Sequence, residues 1–267
     1  MQTTAQGSGR TSGLPPAASR AFREILARKD PDVVGVVLSG SAARGMATER
    51  SDVDVYVVRS DDTTASREVL RSAAVDEIPV TLARLEQPAP FGSDAWWNRW
   101  SFAWAQVLRD DAGGRVAAAV NRLATLTPDE QDAVLAARLD GAINLIYRAL
   151  KSDRDGRTLE RGLDAAEALP WLLDVIFALS SRVRPYNKYL PWELREHPLA
   201  VPEWSAHRLV PQFERILAGD PAALREVFAV MERECRRFDA NRGQDALGRT
   251  FDDWGADLAI LRGTDAR

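Results

Sequence analysis

An α/β domain followed by an all-α helical bundle is the fold class this chain predicts, and three observations carry it. Residues 33–58 read as strand, loop, strand: an apolar run, Val33 to Leu38, breaks at Gly40-Ser41, and apolar alternation resumes at Val53, Val55 and Val57. From Thr127 onward the apolar residues recur at helical spacing instead. Between the two lies Asp110-Asp111-Ala112-Gly113-Gly114, a strong turn, and composition shifts near residue 125. The division expected is a flexible tail over 1–16, an α/β domain over 17–125 and a helical domain over 126–267.

Taken in order, residues 17–29 place Ala18, Ala21, Phe22, Ile25 and Leu26 at helical spacing, and Asp30-Pro31 ends that helix. Strands at 33–39 and 52–58 follow. Ser60 to Thr64 reads as a loop with an N-cap, leading into a helix through about Ala74. Ile78, Val80 and Leu82 alternate as a third strand, with Pro79 marking an edge or a bulge. Residues 91–100 are rich in tryptophan, with Trp96, Trp97 and Trp100 suited to packing or to stacking on a ring. Residues 102–108 make a fourth strand and 115–124 a short helix.

The helical domain opens on Thr127-Pro128-Asp129-Glu130, a capping box with proline at the first helical position. Its first stripe is Val134, Leu135, Leu139, Ile143, Ile146 and Leu150. A second long helix over 157–182 is expected to turn Leu159, Leu163, Ala166, Leu169, Leu173, Ile176 and Phe177 inward. Helices at 203–217, 221–238 and 251–261 complete the chain, and the charged run Glu232 to Arg237 reads as a solvated face.

The chemistry concentrates at the first strand pair. Asp52 and Asp54 share one strand face about 7 Å apart, and two carboxylates so placed suit a divalent cation. In the preceding loop Gly40 permits close backbone approach, Ser41 supplies a hydroxyl and an amide, and Arg44 supplies a guanidinium. Together these parts suggest a metal-triphosphate site.

Gly40-Ser41, followed after nine residues by Ser51-Asp52-Val53-Asp54, resembles the signature of the polymerase-beta-like nucleotidyltransferases, and aminoglycoside and other antibiotic nucleotidyltransferases in particular. The resemblance implies a mixed sheet with flanking helices, Mg²⁺ ions, an NTP co-substrate such as ATP, and transfer of a nucleoside monophosphate with loss of pyrophosphate. It implies a small hydroxylated acceptor meeting the NTP in a cleft between the domains; the alternatives are a protein hydroxyl or a regulator that binds nucleotide without transfer. A third carboxylate is implied on the neighbouring strand, where the matching slot holds Thr81 and Glu77 is the candidate of equal parity. The segment around Lys188 resembles the Lys-Tyr-Leu stretch of the antibiotic-modifying enzymes, which implies that Lys188 meets the triphosphate, with Arg182 and Arg184 beside it. A general base is implied on the helical domain, with Glu167 first and Asp164 second, and Asp140 and Asp174 as competitors.

Lys+Arg 35 against Asp+Glu 39 gives a net charge of −4, which argues against a large nucleic-acid footprint and favours a small, cationic acceptor. Cys235 stands alone, so no intramolecular disulfide can form, and His197 and His207 show no metal-ligand spacing. No stretch of eighteen apolar residues occurs, so the expectation is a cytoplasmic protein without membrane contact, monomeric or homodimeric.

Overall fold

The computed structural model describes residues 16–63 and 68–264, so the tail expected over 1–16 lies outside the described residues save for its last. Two compact units result, residues 1–125 and 126–267. The first is a five-stranded mixed sheet with helices, the second is helical throughout, and the fold class read from the sequence holds.

In the first unit α1 (Pro16–Ala27) leads into β1 (Val33–Leu38), a one-turn α2 (Gly40–Ala43), β2 (Val53–Arg59), β3 (Leu70–Arg71), β4 (Val75–Thr81), α3 (Leu82–Glu86), β5 (Gln106–Asp110) and α4 (Arg115–Ala124). Across the sheet the order is β3-β4-β2-β1-β5. The β2–β4 pair is parallel and the other pairs are antiparallel. A helix expected to run up to Ala74 is replaced at Leu70–Arg71 by β3, whose residues pair with Glu77 and Asp76; residues 64–67 lie outside the described residues. Beyond that short pairing β4 is an edge strand, so Pro79 has no ladder bond to lose on that side.

The period of two sorts the side chains onto two faces. Val53, Val55 and Val57 join Val36 and Leu38 beneath Ala18, Phe22 and Ile25 of α1. Val58 and Val37 turn the other way, against Leu82, Leu85, Val116 and Val120, with Tyr56 and Val80 at the margin of that cluster. At the turn before α4 the Asp110 carboxylate accepts the amides of Ala112, Gly114 and Ala117, which starts the helix. A 3₁₀ segment, Trp96–Phe102, buries Arg99 and Trp100.

In the second unit α5 (Pro128–Arg154) starts with the expected box: Thr127 Oγ1 accepts the Glu130 amide at 3.3 Å, and Glu130 Oε2 accepts the Thr127 amide at 2.9 Å. α6 (Thr158–Leu179) runs back along it, since Arg138 meets Asp174, Gly141 meets Trp171, and Arg148 meets Asp164. A Cβ on Gly141 would stand 2.5 Å from the Trp171 ring, and the Arg138 guanidinium lies over that ring at 4.5 Å.

The inward stripe of α6 departs from expectation in its first half. Leu159 and Leu163 are 71% and 62% exposed, while Asp164, Ala165, Ala168 and Leu172 are buried. Close packing of two antiparallel helices selects small side chains at the contact, and the Arg148–Asp164 pair at 2.9 Å fixes the rotation. Among the described residues five more α-helices complete the unit: α7 (Leu190–Glu196), α8 (Ala206–Leu217), α9 (Pro221–Arg242), α10 (Ala246–Asp252) and α11 (Leu258–Arg262). Cys235 is buried on α9, where burial pushes its thiol up. Among the described residues no helix is long and apolar enough to cross a membrane.

Candidate active site

β1 ends at Leu38, and the Ser39 amide continues the ladder to the Asp54 carbonyl at 2.9 Å. The chain then reverses through Gly40, whose φ of +61° is one that side chains beyond glycine resist. Space decides the residue as firmly as φ does: a Cβ added to Gly40 would stand 1.9 Å from Asp54 Oδ2. The missing side chain is the seat of that carboxylate.

Asp54 is half-buried on β2, on the face that also carries Tyr56. Its partner across the parallel ladder is Asp76 of β4. Register partners in adjacent strands present their side chains to the same face across about 4.8 Å of backbone, so the two carboxylates stand side by side at one end of the sheet. Asp52, just before β2, is exposed and follows the same alternation as Asp54. Arg71 reaches Asp76 only loosely, at 3.9 Å, from a side chain 78% exposed.

Three expectations are corrected here. Glu77 is the register partner of Val55, on the opposite face from Asp54, where both its oxygens accept from Arg28 at 2.6 and 2.9 Å. It cannot serve a site at Asp54 without breaking that pair. Thr81 is not a ligand slot either: it pairs with Arg59 at the far end of β4 and caps α3, accepting the Arg84 amide at 3.3 Å. Arg44, expected at a phosphate, turns inward and is buried. Its guanidinium donates to the carbonyls of Gly40 at 2.6 Å, Trp100 and Ser101 at 3.2 Å, and Ala103 at 2.5 Å, and it stacks over the Trp100 ring at 4.2 Å.

Asp76 is the residue the sequence reading passed over. Asp76, Ile78 and Val80 repeat at one parity the pattern Asp54, Tyr56 and Val58, but it takes the register of the parallel pair to set them side by side. Burial pushes the Tyr56 hydroxyl up, and the Asp54 charge adds to that, against a hydrogen bond of 2.8 Å shared with Ser101 Oγ. At neutral pH Tyr56 is therefore a neutral hydroxyl below the carboxylates.

Among the described residues no three His, Cys, Asp or Glu side chains are already gathered around a common point. The donor set nevertheless fits a hard divalent cation, because Asp52, Asp54 and Asp76 offer only oxygens from one face and the Gly40 gap leaves Asp54 room beside the backbone.

The remaining predicted site residues belong to the second unit. Lys188 is exposed, with its ammonium over the Tyr189 ring at 4.8 Å. Arg182 is engaged by Glu193 and by the His197 carbonyl, and Arg184 by Asn187 at 2.9 Å and Asp174 at 3.7 Å. Glu167 is exposed on α6, whereas Asp164 is buried against Arg148. Asp140 accepts the Trp254 indole N–H at 3.0 Å. Burial pushes the Asp174 carboxyl up, although Arg184 and Arg138 oppose it.

Residues 19–88, which run from α1 through α3 and include Gly40, Asp54 and Asp76, match the family model of the nucleotidyltransferase domain. A solved nucleotidyltransferase-like protein from Exiguobacterium sibiricum 255-15 is similar over 92% of this chain and 88% of its own, at 13% identity and a TM-score of 0.38. No curated protein matches the chain.

Proposed function

We propose, on the premise that the first unit is a nucleotidyltransferase domain, that the chain transfers AMP from ATP to a hydroxyl of a small, cationic acceptor of the aminoglycoside kind and releases pyrophosphate. The observation that carries this reading is the pairing of Asp54 with Asp76 beside the space left by Gly40. A Mg²⁺ ion held by Asp52, Asp54 and Asp76 would neutralise triphosphate charge and stabilise the departing pyrophosphate.

The residues of the chain do the rest. Gly40 lets the backbone approach the phosphates, and Ser41 offers them an amide and a hydroxyl. The acceptor oxygen forms a bond to the α-phosphorus as the bridge to the β-phosphate breaks, and the electron pair of that bond leaves with pyrophosphate. The acceptor's proton passes to a carboxylate, for which Glu167, exposed and on the second unit, is the proposed receiver. Lys188, an exposed residue, is the proposed contact to the triphosphate. A net charge of −4 favours a cationic small molecule over nucleic acid as the acceptor.

The test is transfer of label from α-labelled ATP with Mg²⁺ to a panel of aminoglycosides, set against a panel of proteins. Asp54→Asn and Asp76→Asn should each lower transfer by about 10²-fold or more, since each removes a charge facing the triphosphate site. Glu77→Gln should leave turnover within a few-fold, because its carboxylate faces away. Full activity in Asp76→Asn, or label on proteins alone, would overturn the reading as stated.

A further inference from the structure

We infer that Arg44 is a positioning residue that aims the Ser41 amide, rather than a group that touches phosphate; this rests on the nucleotide reading above. A peptide unit is planar, with its C=O and N–H pointing in opposite directions. The carbonyl of Gly40 and the amide N–H of Ser41 belong to one such unit. Arg44 Nη1 donates to that carbonyl at 2.6 Å from inside the protein, so the N–H on the other edge is turned away from the interior.

The guanidinium is itself held from three sides. Its second nitrogen donates to the carbonyls of Trp100, Ser101 and Ala103, and its plane lies over the Trp100 ring at 4.2 Å. Two further bonds tie the same chain segments together: Ser39 Oγ donates to the Ser101 carbonyl at 2.6 Å, and Gln106 Nε2 donates to the Ala43 carbonyl at 2.6 Å. The 3₁₀ segment is thus a fixed wall, and Arg44 is the strut between that wall and the Gly40-Ser41 peptide. Only a planar fork with several donors can span both. A lysine would supply the charge and lose the geometry. Arg44 is 7% exposed, which suits a strut and not a group waiting for a triphosphate.

The inference separates from direct phosphate binding by what moves. Inorganic tripolyphosphate with Mg²⁺ is titrated into ¹⁵N-labelled wild-type protein. The Ser41 amide resonance is expected to shift, while the Arg44 guanidinium resonances stay slow to exchange and unmoved. Arg44→Lys is expected to weaken tripolyphosphate binding by about 10- to 100-fold, as Arg44→Ala does. Methylguanidinium added to Arg44→Ala should restore binding by filling the strut's place. Arg44 resonances that shift with tripolyphosphate, or Arg44→Lys binding it as the wild type does, would overturn the inference and leave the nucleotide reading standing. Wild-type protein that neither binds tripolyphosphate nor transfers label would remove both. The wild-type titration decides the question even where a variant does not fold.

Discussion

Two arginines of the sheet unit and three of α9 in the helical unit are matched to different partners. Arg44 and Arg99 are buried and donate to backbone carbonyls, Arg99 to those of Leu123, Arg122 and Thr125. On α9, Arg233, Arg236 and Arg237 meet the carboxylates of Glu203, Glu234, Glu232 and Asp252, and Arg262 joins them at Glu232. A guanidinium among carbonyls fixes the path of the chain and is hardly touched by salt or acid. One among carboxylates balances charge, and screening and protonation reach it to the extent that the pair is exposed. The segment around Gly40, which the proposed function makes a phosphate loop, uses the first kind.

The contrast makes its largest prediction at Arg99. Arg99→Ala removes a buried guanidinium and its bonds to the carbonyls of Leu123, Arg122 and Thr125, the first of them buried, and should lower stability by about 3 kcal/mol. A denaturant melt giving less than about 1 kcal/mol would mean that water replaces the side chain and that the clamp is not structural.

An intermediate effect is expected at Glu232, with a sign fixed by pH. Burial raises its carboxyl, but Arg262 and Arg236 outweigh that and hold it below its ordinary value of 4.5. A carboxyl lowered in the folded state contributes stability that is complete above the unfolded value and is lost as pH falls through the folded one. The difference in melting temperature between wild type and Glu232→Gln should therefore be present at pH 7 and shrink below pH 4.5. The Arg99→Ala deficit should stay constant over the same range. Parallel curves for both variants would erase the distinction.

The smallest effect belongs to Arg237, whose side chain is 59% exposed and whose partner Glu234 keeps Arg233 as well. Arg237→Ala should cost less than about 1 kcal/mol, and 1 M salt should reduce even that. A salt-insensitive loss would place Arg237 with the clamps.

What could be read in advance divides along the same line. The apolar run of β1, the alternation of β2, the capping box of α5 and the turn at Asp110 are local patterns, and each is found where the residues put it. The grouping of Gly40-Ser41 with Asp54 was legible because these residues lie close in sequence on one hairpin-like unit. Asp76 was not, because a parallel pair has no turn to set its register; β2 and β4 are aligned by packing on both faces of the sheet. Arg44 was misassigned for a related reason. A guanidinium near glycine and serine reads as a phosphate ligand unless the carbonyls at Trp100 to Ala103 are known to reach it, and those come from more than fifty residues away. The phase of α6 was lost to leucine's greater hydrophobicity, since a close helix pair prefers alanine at its seam.

The contact of Trp171 with Gly141 bears on how this chain can change over generations. An alanine at 141 would press its methyl to 2.5 Å of the indole, so that substitution alone forces two helices apart, while a smaller residue at 171 leaves a void beside glycine. Each single step is unfavourable, and the pair together need not be. Positions 141 and 171 are therefore coupled in their packing: a side chain at 141 has room only where the residue at 171 is smaller.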